Sequence, residues 1–468
     1  MNVVLWDTRR NHAQKDFAGG MGVGMHPGTG GLRGKLIRQM YLRDYRPTAL
    51  NFAYLVAVIK RLGHTPVYSL DQENPPTGDV YIFNPALLTL DIELEAIRRV
   101  RSKNANAKIF VVGQVAFALA ESLAESLLDQ GVTILKGEPE QLLFRWDEVM
   151  ESTEAIVNIG SVKDLNSLPM PDWSQFAYKK FRINYDFWRF PTAFIQQSRG
   201  CTFKCNYCPY IMIESKTRFR DPEAVVDEMR FGMERYGFES FKFRDPLFGL
   251  NRKKALELAE GIRKLPRKIQ FSIETRVDLM REETLVALRD AGLTSITIGI
   301  ETPDEATLKR YSRVAINDDR QRGFVDLCRR LGIRSVAGFM IGFPGDTRQQ
   351  IWDVLNYARA VNPTYANFNI VTPYPGTEFF NEVQDQIGDH DYSKYSVYQP
   401  VMKYENLTSA EVAEMHGKCF EKFYFRGRYL KENGLLLWPQ LRRFLPGTAL
   451  STPAAAAVES ASAIVKAA

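Results

Sequence analysis

The sequence has little of several things, and each shortage excludes something. Only five cysteines and five histidines occur in 468 residues, too few for the disulfide-dense framework of a small secreted domain. No run of about 18 apolar residues exists. The two most apolar stretches, ALNFAYLVAVI and KIFVVGQVAFALAESLAESLL, are interrupted by Asn51, Gln114, Glu121 and Glu125, so no transmembrane segment is expected. The opening MNVVLWDTRR sets its apolar run before its basic pair, the reverse of a secretory signal, and reads as a first strand. A cytoplasmic location is the expectation. Charge of one sign is scarce as well: 61 basic residues face 55 acidic ones, for a net +6. That balance gives no footprint for nucleic acid, and the basic run from Arg426 to Arg443 reads as a solvated helical face.

What is present is alternation. VVLW (3–6), PVYSL (66–70), DVYIF (79–83), KIFVVG (108–113) and VTILKG (132–137) are separated by helical patterns. This order predicts a doubly wound, Rossmann-like parallel sheet over residues 1–155, with ligands beyond the carboxyl ends of its strands. Residues 156–190, containing Pro169 and Pro171, read as a linker. A second series follows over 191–395: FIQQS, FKFRD, IQFSIE, SITIGIE, SVAGFMIGF and ANFNIV, each paired with a helix. Six such units predict a partial (β/α)6 barrel of TIM type. Residues 396–446 read as a helical C-terminal segment, and the low-complexity stretch 447–468 as disordered tail. The glycine-rich stretch 18–34, AGGMGVGMHPGTGGLRG, has Pro27 where a dinucleotide fingerprint needs its third glycine. It reads as a flexible loop, with a cover over a bound ligand as the functional alternative.

Three of the five cysteines, Cys201, Cys205 and Cys208, lie in CTFKCNYC. Three thiolates at this spacing can converge on one centre. A structural zinc ion is the competing reading, but it needs a fourth protein ligand, and none is close in sequence. Three cysteines suit a 4Fe–4S cluster whose fourth iron stays open. Cys328 and Cys419 fall on helical patterns and read as buried thiols.

SRGCTFKCNYC resembles the cluster motif of the radical S-adenosylmethionine (SAM) superfamily. By that resemblance Tyr207 lies against the adenine of SAM. FRDPLFGLN is similar to the family's strand-end pattern, with Pro246 in place of a second acid, and Asp245 is implied near the amino group of SAM. TRVDL with Arg276, GIET with Glu301, GFMIGFPGDT with Gly342, and TPYPGT follow in the family's order. Arg276 and Glu301 are implied contacts to SAM's carboxylate and its amino or hydroxyl groups, and Gly342 is placed among the cofactor-binding residues. The resemblance implies cleavage of SAM by the cluster's electron, giving methionine and a 5′-deoxyadenosyl radical.

TALNFAYLVAVIKRLGHTPVYSLD, VVGQ, KGEPEQLLFRW and the linker SLPMPDWSQF resemble the cobalamin-binding branch of that superfamily. The D-x-H-x-x-G motif is absent: His12 and His26 have other surroundings, and His64 reads as structural. The resemblance implies cobalamin held without a histidine ligand, and a cobalamin-dependent methyltransferase acting on an unactivated carbon. The alternative is a cobalamin-free oxidoreductase, cyclase or mutase. A small-molecule or lipid-like substrate and an electron donor such as flavodoxin or ferredoxin are the expected partners. Phe420, Phe423, Tyr424 and Trp438 read as core before they read as a substrate pocket.

Overall fold

The fold was analysed in a computed structural model, which describes residues 1–8, 13–15, 18–24, 33–37, 46–71 and 73–441. His12, His26, Arg442, Arg443, the tail 447–468 and the side chain of Trp438 lie outside the described residues.

Fully apolar runs such as VYIF, buried at every position, form strands covered on both faces, as parallel sheets require. The first sheet contains β1 (Asn2–Trp6), β2 (Thr65–Ser69), β3 (Val80–Phe83), β4 (Lys108–Val111), β5 (Val132–Gly137) and β6 (Ile156–Gly160). Its order is β2-β1-β3-β4-β5-β6, and each pair is parallel. The order reverses between β1 and β3, so the ligand-binding crevice expected of such a sheet lies at their carboxyl ends.

The second sheet contains β7 (Thr192–Ile195), β10 (Ser240–Phe243), β11 (Gln270–Thr275), β12 (Leu293–Glu301), β13 (Arg334–Ile341) and β14 (Tyr365–Ile370). These pair in chain order, all parallel, as an open barrel does. Intervening helices follow their end signals. The helix Pro222–Tyr236 starts with proline after Asp221 and stops at Gly237, whose φ of 71° is the left-handed cap that favours glycine.

Three expectations change. The segment 156–190 is not a bare linker: β6 extends the first sheet. Trp173, Phe181, Ile183 and Phe187 are buried in a core shared with the barrel. Apolar side chains too sparse for periodicity still find partners once two sheets bracket them. The strand read as FIQQS ends at Ile195, and two further residues, β8 (Ser198–Arg199), pair antiparallel with β9 (Arg218–Phe219). This hairpin brackets the cysteine loop. Finally, residues 18–24 are pinned rather than loose. Gln14 and Val23 exchange backbone hydrogen bonds, Leu87 N–H donates to Met21 O, and Gly24 N–H donates to Ser396 O.

Phe420, Phe423 and Tyr424, on the helix Ser409–Tyr424, are buried against β14: Phe420 lies 5.2 Å from Phe368, and the Tyr424 hydroxyl donates to Ala366 O at 2.9 Å. They are core. Among the described residues no helix is long and apolar enough to cross a membrane.

Candidate active site

The cysteine loop is held from beneath by Asp245. This carboxylate, wholly buried, accepts from the Gln197 N–H at 3.0 Å and the Ser198 hydroxyl at 2.6 Å. Burial pushes its pKa up to about 6. Through these bonds Asp245 supports the two residues that lead into SRGC.

Within the loop, Cys208 N–H donates to Cys205 O at 3.0 Å and Asn206 N–H to Tyr311 O at 3.2 Å. The three thiols lie within electrostatic reach of one another, and burial raises the pKa of Cys201 and pushes Cys208 up to about 12. Metal binding to these sulfurs therefore releases protons. A cluster takes each thiolate on a different iron, so three thiols on one loop suit it.

Arg313 is the charged neighbour that sequence reading missed. Its Nη1 stands 3.9 Å from Cys205 Sγ, and its Nη2 donates to Gly299 O at 2.8 Å and pairs with Glu301 at 3.2 Å. Burial opposes its charge, but Glu301, Tyr207 and Cys205 hold it cationic, above its ordinary value. A signal existed: Arg313 has no acid three or four residues to either side, so it had no local partner to explain it. Glu301 sits at φ 71°, a conformation costing a non-glycine residue about 1–3 kcal/mol. The strand register shifts between Gly299 and Glu301, and a Cβ on Gly299 would fall 2.4 Å from Glu301 Oε1. A side chain at position 299 would displace the Glu301 carboxylate, which folds back over the glycine.

Arg276 lies across Phe203 of the loop, 4.1 Å from its ring centroid, and forms two 2.9 Å hydrogen bonds to Asp278. That salt bridge leaves Arg276 Nη1 buried without a hydrogen-bond partner. The Tyr207 hydroxyl is in the same state. Its ring meets Phe343 edge-on at 6.4 Å, and Phe343 stacks on Tyr311 at 4.9 Å. Gly342, at φ 76°, and Phe343 both donate their N–H groups to Asp346 Oδ2, at 2.8 and 3.0 Å. Asp346, another residue not singled out from sequence, is buried, which pushes its pKa up to about 6.

The structure thus gathers Cys201, Cys205, Cys208, Tyr207, Glu301 and Arg276, sets Gly342 behind Phe343, and puts Asp245 under the loop. The first domain meets this site with its strand ends: Gln114 Nε2 donates to Pro209 O at 2.6 Å. At the end of β1, Lys15 pairs with Asp7 at 2.9 Å and also with Glu93, while Thr8 donates to Glu93 at 2.7 Å. Burial pushes Glu93 up to about 7. The described histidines lie elsewhere: His64 packs 5.1 Å from Trp146, His390 is exposed, and His416 is buried on the helix Ser409–Tyr424.

Residues 195–358 match the family model of the radical SAM superfamily. The chain is 25% identical over 272 residues to an uncharacterized methyltransferase of Pyrococcus horikoshii, covering 58% of each chain. It is 31% identical over 287 residues to the anaerobic magnesium-protoporphyrin IX monomethyl ester cyclase of Cereibacter sphaeroides, covering 60% of this chain and 45% of that one. It spans about half the length of these curated relatives. Its fold is similar to the cobalamin-dependent SAM radical enzyme OxsB, solved with aqua-cobalamin and SAM bound. That match has a TM-score of 0.64 at 15% identity and covers 88% of this chain and 65% of the other.

Proposed function

We propose that this chain, whose residues 195–358 match the radical SAM superfamily model, is a radical SAM enzyme and a cobalamin-dependent methyltransferase that acts on an unactivated carbon of a small or lipid-like molecule. The observation that carries the radical SAM part is the trio of cysteines on one supported loop, with Arg313, Glu301 and Arg276 arrayed around it. Bound there, a reduced 4Fe–4S cluster supplies the electron that cleaves the carbon–sulfur bond of SAM.

The chain's own side chains fit that task. Cys201, Cys205 and Cys208 would hold the cluster through their thiolates. Arg276 Nη1, buried without a partner, offers a donor to the carboxylate of SAM, and Glu301 offers an acceptor to its amino or hydroxyl groups. Tyr207 and Phe343 give the adenine an aromatic wall that keeps water out. Asp346 fixes the backbone at Gly342 and Phe343, and Asp245 fixes the loop entry, so neither must reorganise when ligand arrives.

The carboxyl ends of the first sheet, which face the cysteine loop, are where cobalamin would bind, and the missing D-x-H-x-x-G motif is the ground for expecting no histidine ligand. A cobalamin-free oxidoreductase, cyclase or mutase is favoured by one observation. Residues 18–24 already lie across that crevice: a Cβ on Gly22 would fall 2.8 Å from Ala86 Cβ, and one on Gly20 3.1 Å from Gln114 Cβ. An electron donor of the flavodoxin or ferredoxin kind and a cytoplasmic setting complete the reading.

The test is anaerobic reconstitution with iron, sulfide and hydroxocobalamin, desalting, and a count of iron and cobalt per chain, with the products of SAM identified. Cobalt retention with both S-adenosylhomocysteine and 5′-deoxyadenosine supports methyl transfer. Iron and 5′-deoxyadenosine without cobalt would establish the second reading instead. A triple Cys→Ala chain that keeps its iron would end both.

A further inference from the structure

The hairpin that brackets the cysteine loop carries one arginine on each strand, and both reach into the first domain. Arg218 on β9 forms a two-pronged bond with Glu138: Nη1 to Oε2 at 2.9 Å and Nη2 to Oε1 at 2.7 Å. Arg199 on β8 donates to Glu140 at 2.9 Å and stands 3.8 Å from Glu138. Its guanidinium lies 5.2 Å from the ring centroid of Tyr54, also in the first domain. None of these four charged side chains is more than 12% exposed. Glu138 is tied down further by accepting from Val162 N–H at 2.7 Å.

Both acids come from the GEPE turn directly after β5, while the arginines flank residues 201–217. Two more contacts grip the far side of the loop. Gln114 donates to Pro209 O, and Gly19 lies so close that a Cβ there would come within 3.2 Å of the Pro209 and Tyr210 backbone. The loop that carries the three cysteines is therefore seated between two domains.

We infer that Glu138 and Glu140 are positioning residues: through Arg218 and Arg199 the first domain fixes the hairpin, and the hairpin fixes the spacing of the three thiols. The physical case is that planar, two-pronged arginine–carboxylate bonds define direction as well as distance. Ionic pairs this buried are poor sources of net stability, so their contribution is geometry. The inference rests on the cysteine loop being the cluster site.

The experiment uses the full chain, reconstituted anaerobically, with E138Q, E140Q and the double variant E138Q/R218M. D186N serves as the reference, because Asp186 pairs with Lys242 at 2.9 Å in a still more deeply buried pair within the barrel. Three quantities are read: melting temperature, the rate of iron release to an anaerobic chelator, and hydrogen exchange over residues 200–217 in the iron-free chain. At matched loss of melting temperature, E138Q and E140Q should release iron at least about tenfold faster than D186N, the equivalent of losing one charge-assisted hydrogen bond. Exchange over 200–217 should rise in the glutamate variants alone. If E138Q folds poorly, E138Q/R218M, which leaves no buried charge unpaired, should melt closer to the parent and still release iron faster. Iron release that follows melting temperature equally in all variants, with unchanged exchange, would overturn the inference. Failure of the unaltered chain to take up iron would instead strike the cluster reading, while the exchange data would still judge the clamp.

Discussion

Replacing Arg313 with methionine removes the one described cation within hydrogen-bonding range of a cysteine proposed to hold the cluster. At the 3.9 Å separation of Nη1 from Cys205 Sγ, two unit charges interact by about 4 kcal/mol at an effective dielectric of about 20. An electron added to the cluster is spread over atoms beyond the sulfur, so about half of this, ~2 kcal/mol, acts on the reduction step. For one electron that is ~80 mV. The sign follows from charge: the cation stabilises the more negative, reduced state, so R313M should lower the midpoint potential. Glu301 complicates the variant, because it loses its 3.2 Å partner. R313M/E301Q removes the carboxylate's charge as well, so comparing the two variants separates the contribution of the cation from that of Glu301. The assay is a redox titration followed by paramagnetic resonance of reconstituted protein at equal iron content. A potential within about 20 mV of the unaltered chain would refute the electrostatic argument, given the magnitude above.

Asp245→Ala should lower both melting temperature and iron loading, because it strands the Gln197 N–H and the Ser198 hydroxyl in a buried site at about 1–3 kcal/mol each. Calorimetry and iron analysis check this, and unchanged values in both would remove Asp245 as the loop's support. His416, hydrogen-bonded through Nε2 to Phe368 O at 2.9 Å, is held by burial at about 4 against an ordinary 6.5. Between those values the unfolded chain binds the extra proton, so stability is whole above the ordinary value and is lost as pH falls towards the folded one. By pH 5 the loss is about 2 kcal/mol. Melting curves at pH 7 and pH 5 should show His416→Gln losing less on acidification than the parent; an equal loss would refute the shift.

The sequence alone determined what is local. Strand and helix alternation read out both parallel sheets, because apolar period and end signals are set by neighbouring residues. The cysteine spacing marked the loop, because three thiols on eight residues cannot be far apart. Asp245, Glu301, Arg276 and Gly342 were legible as motif positions, but their tasks were not. Whether Asp245 faces a ligand or the underside of β8 depends on which backbone amides the fold brings to it. Arg313 gains its meaning from Glu301 and Cys205, which approach it only when β12 and the cysteine loop close together. The glycines at 18–24 looked like freedom in one dimension; in three they allow a close seam between the first domain and residues 209–210. The GEPE turn was visible as a family-like word, yet its pairing with Arg199 and Arg218 spans two domains. Charge pairing across such separations leaves no period in the chain, so only the tertiary structure decides it.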